Sequence, residues 1–202
     1  MGFRAPYLRY DDLRQHAEAF LAKYHPTRSI PVPIEFIVEA SLGIDIVPVP
    51  GLQDVIESVA HLTRDMKEIL VDERVYLKVP NRYRFSLAHE IGHLILHSEI
   101  IKQLKFDNIK EWKNIIANEI PEDQYSFLEF HAYAFAGLIL VPSDKLKEVF
   151  FDYVEKAQQH EIDFDELGTG ARETAEYHIA KFFEVSSDVI HKRIEYDSLW
   201  HK

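Results

Sequence analysis

Residues 82–97 read RYRFSLAHEIGHLILH, a helix-like run in which His89, Glu90 and His93 interrupt an otherwise apolar stretch. HEIGH fits the H-E-x-x-H pattern. On a helix, residues four apart differ by about 40° in azimuth and roughly 6 Å in height, so His89 and His93 can aim two ring nitrogens at one point. A tetrahedral zinc ion accepts such a pair from one helix and keeps a position open for water. Glu90 lies beside the pair and is the candidate general base toward that water, then the proton donor to a leaving amine. The apolar flanks FSLA and LILH place the run on a helix packed into a core. Unpaired His and Glu side chains are costly there, and a metal ion offsets that cost.

Two histidines and a water leave one ligand to find. A metzincin would continue with a glycine and a third histidine, but Leu96 and Glu99 hold those positions, so that pattern fails. The other source is a carboxylate on a later helix. FLEFHAYAFAGLILVP (127–142) begins with Glu129 in a strongly apolar helical run, where a carboxylate needs a reason. His131 lies about 200° round the same helix and cannot easily share an ion with Glu129. Glu129 is the preferred third ligand and His131 its rival. His97, one turn beyond His93, is expected to pack beside a ligand or brace it.

These residues need helices to hold them. The apolar spacing predicts helices over 11–25, 33–43, 82–98, 108–118, 122–141, 144–159, 172–183 and 187–196. Pro33 falls near a first turn, Gly43 marks a stop, and Ser143 reads as an N-cap after Pro142. Between the early helices and the histidine run, IDIVPV (44–49), ESVAHLTRD (57–65) and EILVDERVYL (68–77) are β-branched and partly alternating, and predict short strands. The expected fold is α+β, with a small N-terminal mixed or antiparallel sheet packed on a mainly helical bundle that carries a zincin-like active-site helix. One domain over 1–202 is expected: entry helices and sheet to residue 80, active-site helices over 81–160, and a C-terminal helix pair over 161–202.

Bulk properties narrow the partners. With 202 residues and 47% hydrophobic content, the chain can bury one substantial core. It has no cysteine, which excludes disulfides and thiolate metal sites. The N-terminus lacks a signal-type apolar core, and the longest apolar run, 132–142, is about half a membrane span. A cytoplasmic protein with no membrane partner is expected. The formal net charge of −11 disfavours direct nucleic-acid binding and favours a basic protein partner. Oligomeric state has no signature in the sequence.

RFSLAHEIGHLILH (84–97) and EFHAYAFAGLILVP (129–142) together resemble the two zinc half-motifs of the ImmA/IrrE family of metallopeptidases. The stretches IPVPIEFIVEASLGIDIV and IAKFFEVSSDVIHKRI resemble its flanking segments. The resemblance implies one zinc ion in a gluzincin-like site, with His89, His93 and Glu129 as ligands and Glu90 as catalyst. It also implies a protein substrate, a helix-turn-helix transcriptional repressor often of phage-like elements. One position departs: Tyr133 stands where the family carries Asn or Asp, so bracing of a ligand histidine falls to Tyr133, His97 or His131. The segment KFDNIKEWKNIIANEIPEDQ (105–124) reads as an insertion or lid.

Other readings stay open at this point. The 57–73 region could offer an edge strand to substrate. Tyr133, His131, Tyr125 and His178 are all candidates to stabilise an oxyanion. The chain could instead sequester a partner around its metal without cleavage. The C-terminal pair (179–196) has a helix-turn-helix pattern that could reach DNA through Lys192 and Arg193.

Overall fold

Helix α1 (Tyr10–Tyr24) buries Leu13, Ala17, Phe20 and Leu21, a stripe at helical spacing, and ends before Pro26. Helix α2 (Ile34–Phe36) continues as a π-helical turn over Ile37–Ser41 and stops at Gly43, whose φ of 66° a side chain would resist. Strand β1 (Asp45–Val49), the short helix α3 (Leu52–Ile56), and strands β2 (Ala60–Leu62) and β3 (Glu68–Asp72) follow. The computed structural model describes residues 4–104, 106 and 109–201.

The three strands form one mixed sheet in the order β1-β3-β2. β1 runs parallel to β3 with Ile46 opposite Ile69, and β2 runs antiparallel to it with His61 opposite Leu70. β2 is therefore an edge strand. Two expected strands are shorter than their composition suggests. The 57–65 stretch pairs only over Ala60–Leu62. The 68–77 stretch stops at Asp72, whose carboxylate accepts from the Arg74 and Val75 amides and caps a new helix, α4 (Glu73–Lys78). A local capping bond thus overrides the β-branched run.

Helix α5 (Pro80–Gln103) carries the histidines and runs longer than the expected 82–98, with Pro80 in its first turn, where a missing N–H costs nothing. Then come α6 (Ile109–Asn118), α7 (Glu122–Leu140), α8 (Ser143–Gln159), α9 (Phe164–Leu167), α10 (Thr169–Phe183) and α11 (Ser187–Asp197), closed by a 3-10 turn at Leu199–His201. Ser143 is the first residue of α8 rather than its cap. Its hydroxyl instead accepts from Arg14 and Arg193 at 2.7 and 3.0 Å.

One core cluster joins α1, the sheet, α5, α7, α10 and α11, with Leu87, Ile91, Phe135, Ile139 and Phe183 fully buried in it. A second, smaller cluster of Ile101, Phe106, Ile115 and Ile120 lies under α6. The architecture is α+β, with the small sheet against a helical bundle as expected. Among the described residues no single helix is long and apolar enough to cross a membrane; α7 and α8 would reach that length together but are bent by 60°, and the apolar half of α7 is buried in the core.

The two cations singled out in the C-terminal pair both have partners within the chain. Arg193 is 3% exposed and donates to Tyr10, Ser143 and Asp197. Lys192 reaches Asp188 and the Tyr133 hydroxyl. Arg193 is thus taken up inside the fold, and the partly exposed Lys192 is paired with Asp188, which argues against that reading.

Candidate metal centre

α5 and α7 meet where both are thinnest. A Cβ built on Gly92 would fall 2.8 Å from the Ala132 Cα, so only glycine at 92 lets the two backbones come this close. On either side of that contact, α5 offers His89 and His93, and α7 offers Glu129. His89 Nε2 lies 3.2 Å from Glu129 Oε2, His93 Nε2 lies 3.4 Å from Glu129 Oε1, and the two Nε2 atoms are 3.1 Å apart.

Those three separations test the donor set for a metal ion. Bonds of about 2.0–2.1 Å at tetrahedral angles set neighbouring ligand atoms about 3.3–3.4 Å apart. The three separations, two of them to different oxygens of Glu129, lie near that figure, and His89, His93 and Glu129 form a group able to hold an ion. Two neutral imidazoles and one carboxylate would suit zinc, and all three residues line one pocket. The side chains are partly open, at 19%, 15% and 37% exposure, so water and substrate can reach the group.

Burial works to raise the Glu129 carboxyl, but hydrogen bonds from His89 and His93 outweigh it and hold the group well below the ordinary carboxylate range. Burial works to lower His89, yet its bond to Glu129 and the nearby Glu90 charge carry it above the usual imidazole value. Glu90 is buried, and its Oε2 accepts a 2.8 Å hydrogen bond from the Leu62 amide on β2. The edge strand thus holds the carboxylate that the sequence singles out as the base. Glu90 lines the same pocket as the three candidate ligands.

The remaining candidates divide. His131 does not join the ligand group; it is 2% exposed and contacts His97. His97 lies between His93 and His131, 1% exposed, and burial, helped by His93 and His131, pushes it down to about 2. Tyr125 lines the pocket with its phenol toward Glu129; burial, the Glu129 charge and a hydrogen bond to it push that phenol upward. Tyr133 turns its hydroxyl to Asp188 at 2.9 Å and Lys192 at 3.3 Å, away from the imidazoles. His178 stacks on Tyr153 and lies apart from the pocket. The 105–124 segment forms a wall of the pocket through Phe106, Trp112 and Ile116, while residues 105, 107 and 108 lie outside the described residues.

His61 is a pocket residue that the sequence reading passed over. It stands on β2 between Ala60 and Leu62, 9% exposed, with Trp112 and Phe106 at ring distances of 5.8 and 6.4 Å. Burial lowers it, the Glu90 charge raises it and His93 lowers it again. A histidine at the centre of the alternating run SVAHLTRD was the available signal.

A family model described as the IrrE N-terminal-like domain, peptidase M78, matches residues 40–195, from the end of the π-helical turn through α11. The chain belongs to this family. An M78 assignment makes the chain a metallopeptidase-type domain and agrees with the resemblance carried by the two half-motifs. Among solved structures, the chain is similar to a Mycobacterium tuberculosis transcriptional regulator, with a TM-score of 0.53 and 17% identity over 92% of this chain and 46% of that one. At that identity the likeness is one of fold, and this chain spans about half the length of the regulator. No curated protein matches the sequence.

Proposed function

We propose that the chain is a zinc-dependent endopeptidase in which His89, His93 and Glu129 hold one zinc ion and Glu90 is the general base. The observation that carries this reading is the convergence of His89 Nε2, His93 Nε2 and the Glu129 carboxylate, with the imidazole nitrogens 3.1 Å apart and each 3.2–3.4 Å from one carboxylate oxygen, beside a buried, anchored carboxylate. Zinc, when bound there, supplies a Lewis acid that acidifies water and polarises a peptide carbonyl. Glu90 takes a proton from the attacking water as the new C–O bond forms. It then delivers that proton to the amine nitrogen as the C–N bond breaks. The Leu62 amide keeps the Glu90 carboxylate aimed during both transfers.

The sheet edge supports an extended substrate. His61 pairs with Leu70, so alternation turns the backbone groups of Ala60 and Leu62 outward, toward the pocket they line. Glu90 uses the Leu62 N–H and Ser58 the Ala60 carbonyl; among the described residues the Ala60 N–H and the Leu62 carbonyl, on this buried edge, have no partner and are the groups a substrate strand would meet. The substrate in this reading is a basic helix-turn-helix repressor. The net charge of −11 and the resemblance of the half-motifs favour it. The reading places the enzyme in the cytoplasm, where such repressors act.

Incubating the zinc-loaded chain with a proteome-derived peptide mixture and reading new termini by mass spectrometry tests the activity. Zinc-dependent cleavage that disappears in Glu90→Gln supports the proposal. Equal cleavage by the variant, or none by the wild type, contradicts it. If Glu90→Gln still inactivates a repressor without cutting it, sequestration replaces proteolysis.

A further inference from the structure

The pocket at the candidate metal centre has two unlike ends. His89, Glu90, His93 and Glu129 line the polar one. On α5, His93, His97 and Ile101 are spaced four apart, so the face that begins at the candidate ligands runs on into an apolar wall. Leu104 extends this wall, Leu128 joins it from α7 one residue before Glu129, and Phe106, Trp112 and Ile116 close it from the 105–124 segment. Ile101 and Phe106 belong to the small cluster under α6, which is set apart from the main core. That cluster is not packed shut; it opens onto the centre.

Size and charge say what could fill it. The whole pocket, polar end included, encloses about 90 Å³. A dry cavity of about 150 Å³ admits benzene, and one water needs roughly 10–15 Å³. This space is therefore too small for an aromatic ring and ample for an aliphatic side chain. Among the described residues its only carboxylates are Glu90 and Glu129, which are held by the Leu62 amide and by the two imidazoles. Lys113 also lines it, with its ammonium 2.7 Å from Glu57. A cationic side chain would lose its water here beside a like charge and meet no free carboxylate, which is costly.

We infer that the apolar end is a specificity pocket for one aliphatic side chain of leucine size, carried by a substrate residue next to the scissile bond. The inference deepens the proposed function and rests on its reading of the centre as the place of cleavage. Trp112 sets the size limit: its ring stands 5.0 Å from that of Phe106 and 5.8 Å from that of His61, between the α6 side and the sheet edge.

The test is a peptide series with Leu, Ala, Phe or Lys on either side of one cleaved bond, given to the zinc-loaded chain. A methylene in such a pocket is worth about 10–200-fold. Leu should exceed Ala in kcat/KM by at least about 10-fold at one flanking position, with Phe and Lys below Leu. Trp112→Ala should reverse the order of Leu and Phe, whereas lost packing alone lowers both rates and keeps their order. Equal rates at both positions, a preference for Lys, or an unchanged order in a folded Trp112→Ala overturns the pocket and leaves the peptidase standing. Thermal melts check folding, and if Trp112→Ala does not fold, Ile116→Phe replaces it and should erase the preference for Leu over Ala. If no peptide is cut, the proposed function fails, and a titration of the metal-free full chain decides the pocket. N-acetyl-leucinamide should then shift the methyl NMR signals of Ile101, Leu104 and Leu128 while N-acetyl-glycinamide does not; equal or absent shifts overturn it.

Discussion

Replacing Gly92 by alanine adds one methyl group at the contact that brings together the two helices carrying His89, His93 and Glu129. The new Cβ would lie 2.8 Å from Ala132 Cα, 3.0 Å from its carbonyl oxygen and 3.2 Å from its Cβ. Carbon atoms pack at about 3.5–4.0 Å, so α7 must retreat by about 0.7–1.2 Å. The obstacle is backbone, and no rotamer change relieves it. Glu129, one turn before Ala132, moves with the helix, while metal–ligand distances tolerate only about 0.2 Å. Zinc affinity should fall, and a shift of about 1 Å should slow any cleavage about 10²-fold. Overpacking costs about 1–3 kcal/mol, and alanine returns about 1 kcal/mol of helix propensity. At the upper end the net loss is about 2 kcal/mol, a drop of about 4–8 °C in Tm for a chain of this size. Differential scanning calorimetry of the metal-free protein and zinc competition with a chromophoric chelator read the two effects. A raised Tm with unchanged zinc affinity, as an unencumbered helix glycine would give, refutes the argument that this contact sets the site.

Three further outcomes follow from the same geometry. Glu90→Gln should retain zinc and lose about 10²–10⁴-fold in cleavage rate, measured by single-turnover peptide hydrolysis. Zinc at 100 times its Kd should stabilise the wild type by about 2.7 kcal/mol, visible as a rise in Tm, and Glu129→Ala should abolish that rise. Asp197→Ala should remove the shared partner of Arg14 and Arg193, both bonded to it at 2.6 and 3.1 Å. Orphaning a buried charge costs about 3–5 kcal/mol, so Tm should fall by about 6–20 °C while zinc affinity stays the same.

The histidine helix and the His-His-Glu group were legible because the relevant signals are local. His89 and His93 share a face by helical period alone, and Glu129 stands out as a carboxylate before a run that Ala134–Leu140 bury. The alternation that predicts strands failed at Asp72, where two capping bonds end β3 and start α4 within a run of β-branched residues. Long-range partners were out of reach. The Tyr133 hydroxyl is drawn to Asp188, 55 residues away, and the His97–His131 contact spans 34 residues. Ser143 reads as a cap by type, yet two arginines that the fold brings in, Arg14 and Arg193, claim its hydroxyl. His61 went unnoticed because an edge-strand histidine has no spacing signature; only the pairing of β2 with β3 and the approach of Trp112 put it beside Glu90.

The most direct measurement is anomalous diffraction at the zinc edge from crystals of the zinc-loaded chain. The account expects one peak per chain, about 2.0–2.2 Å from His89 Nε2, His93 Nε2 and a Glu129 carboxylate oxygen. A peak held by other residues, or fully loaded crystals with these three side chains apart and nothing between them, would contradict it.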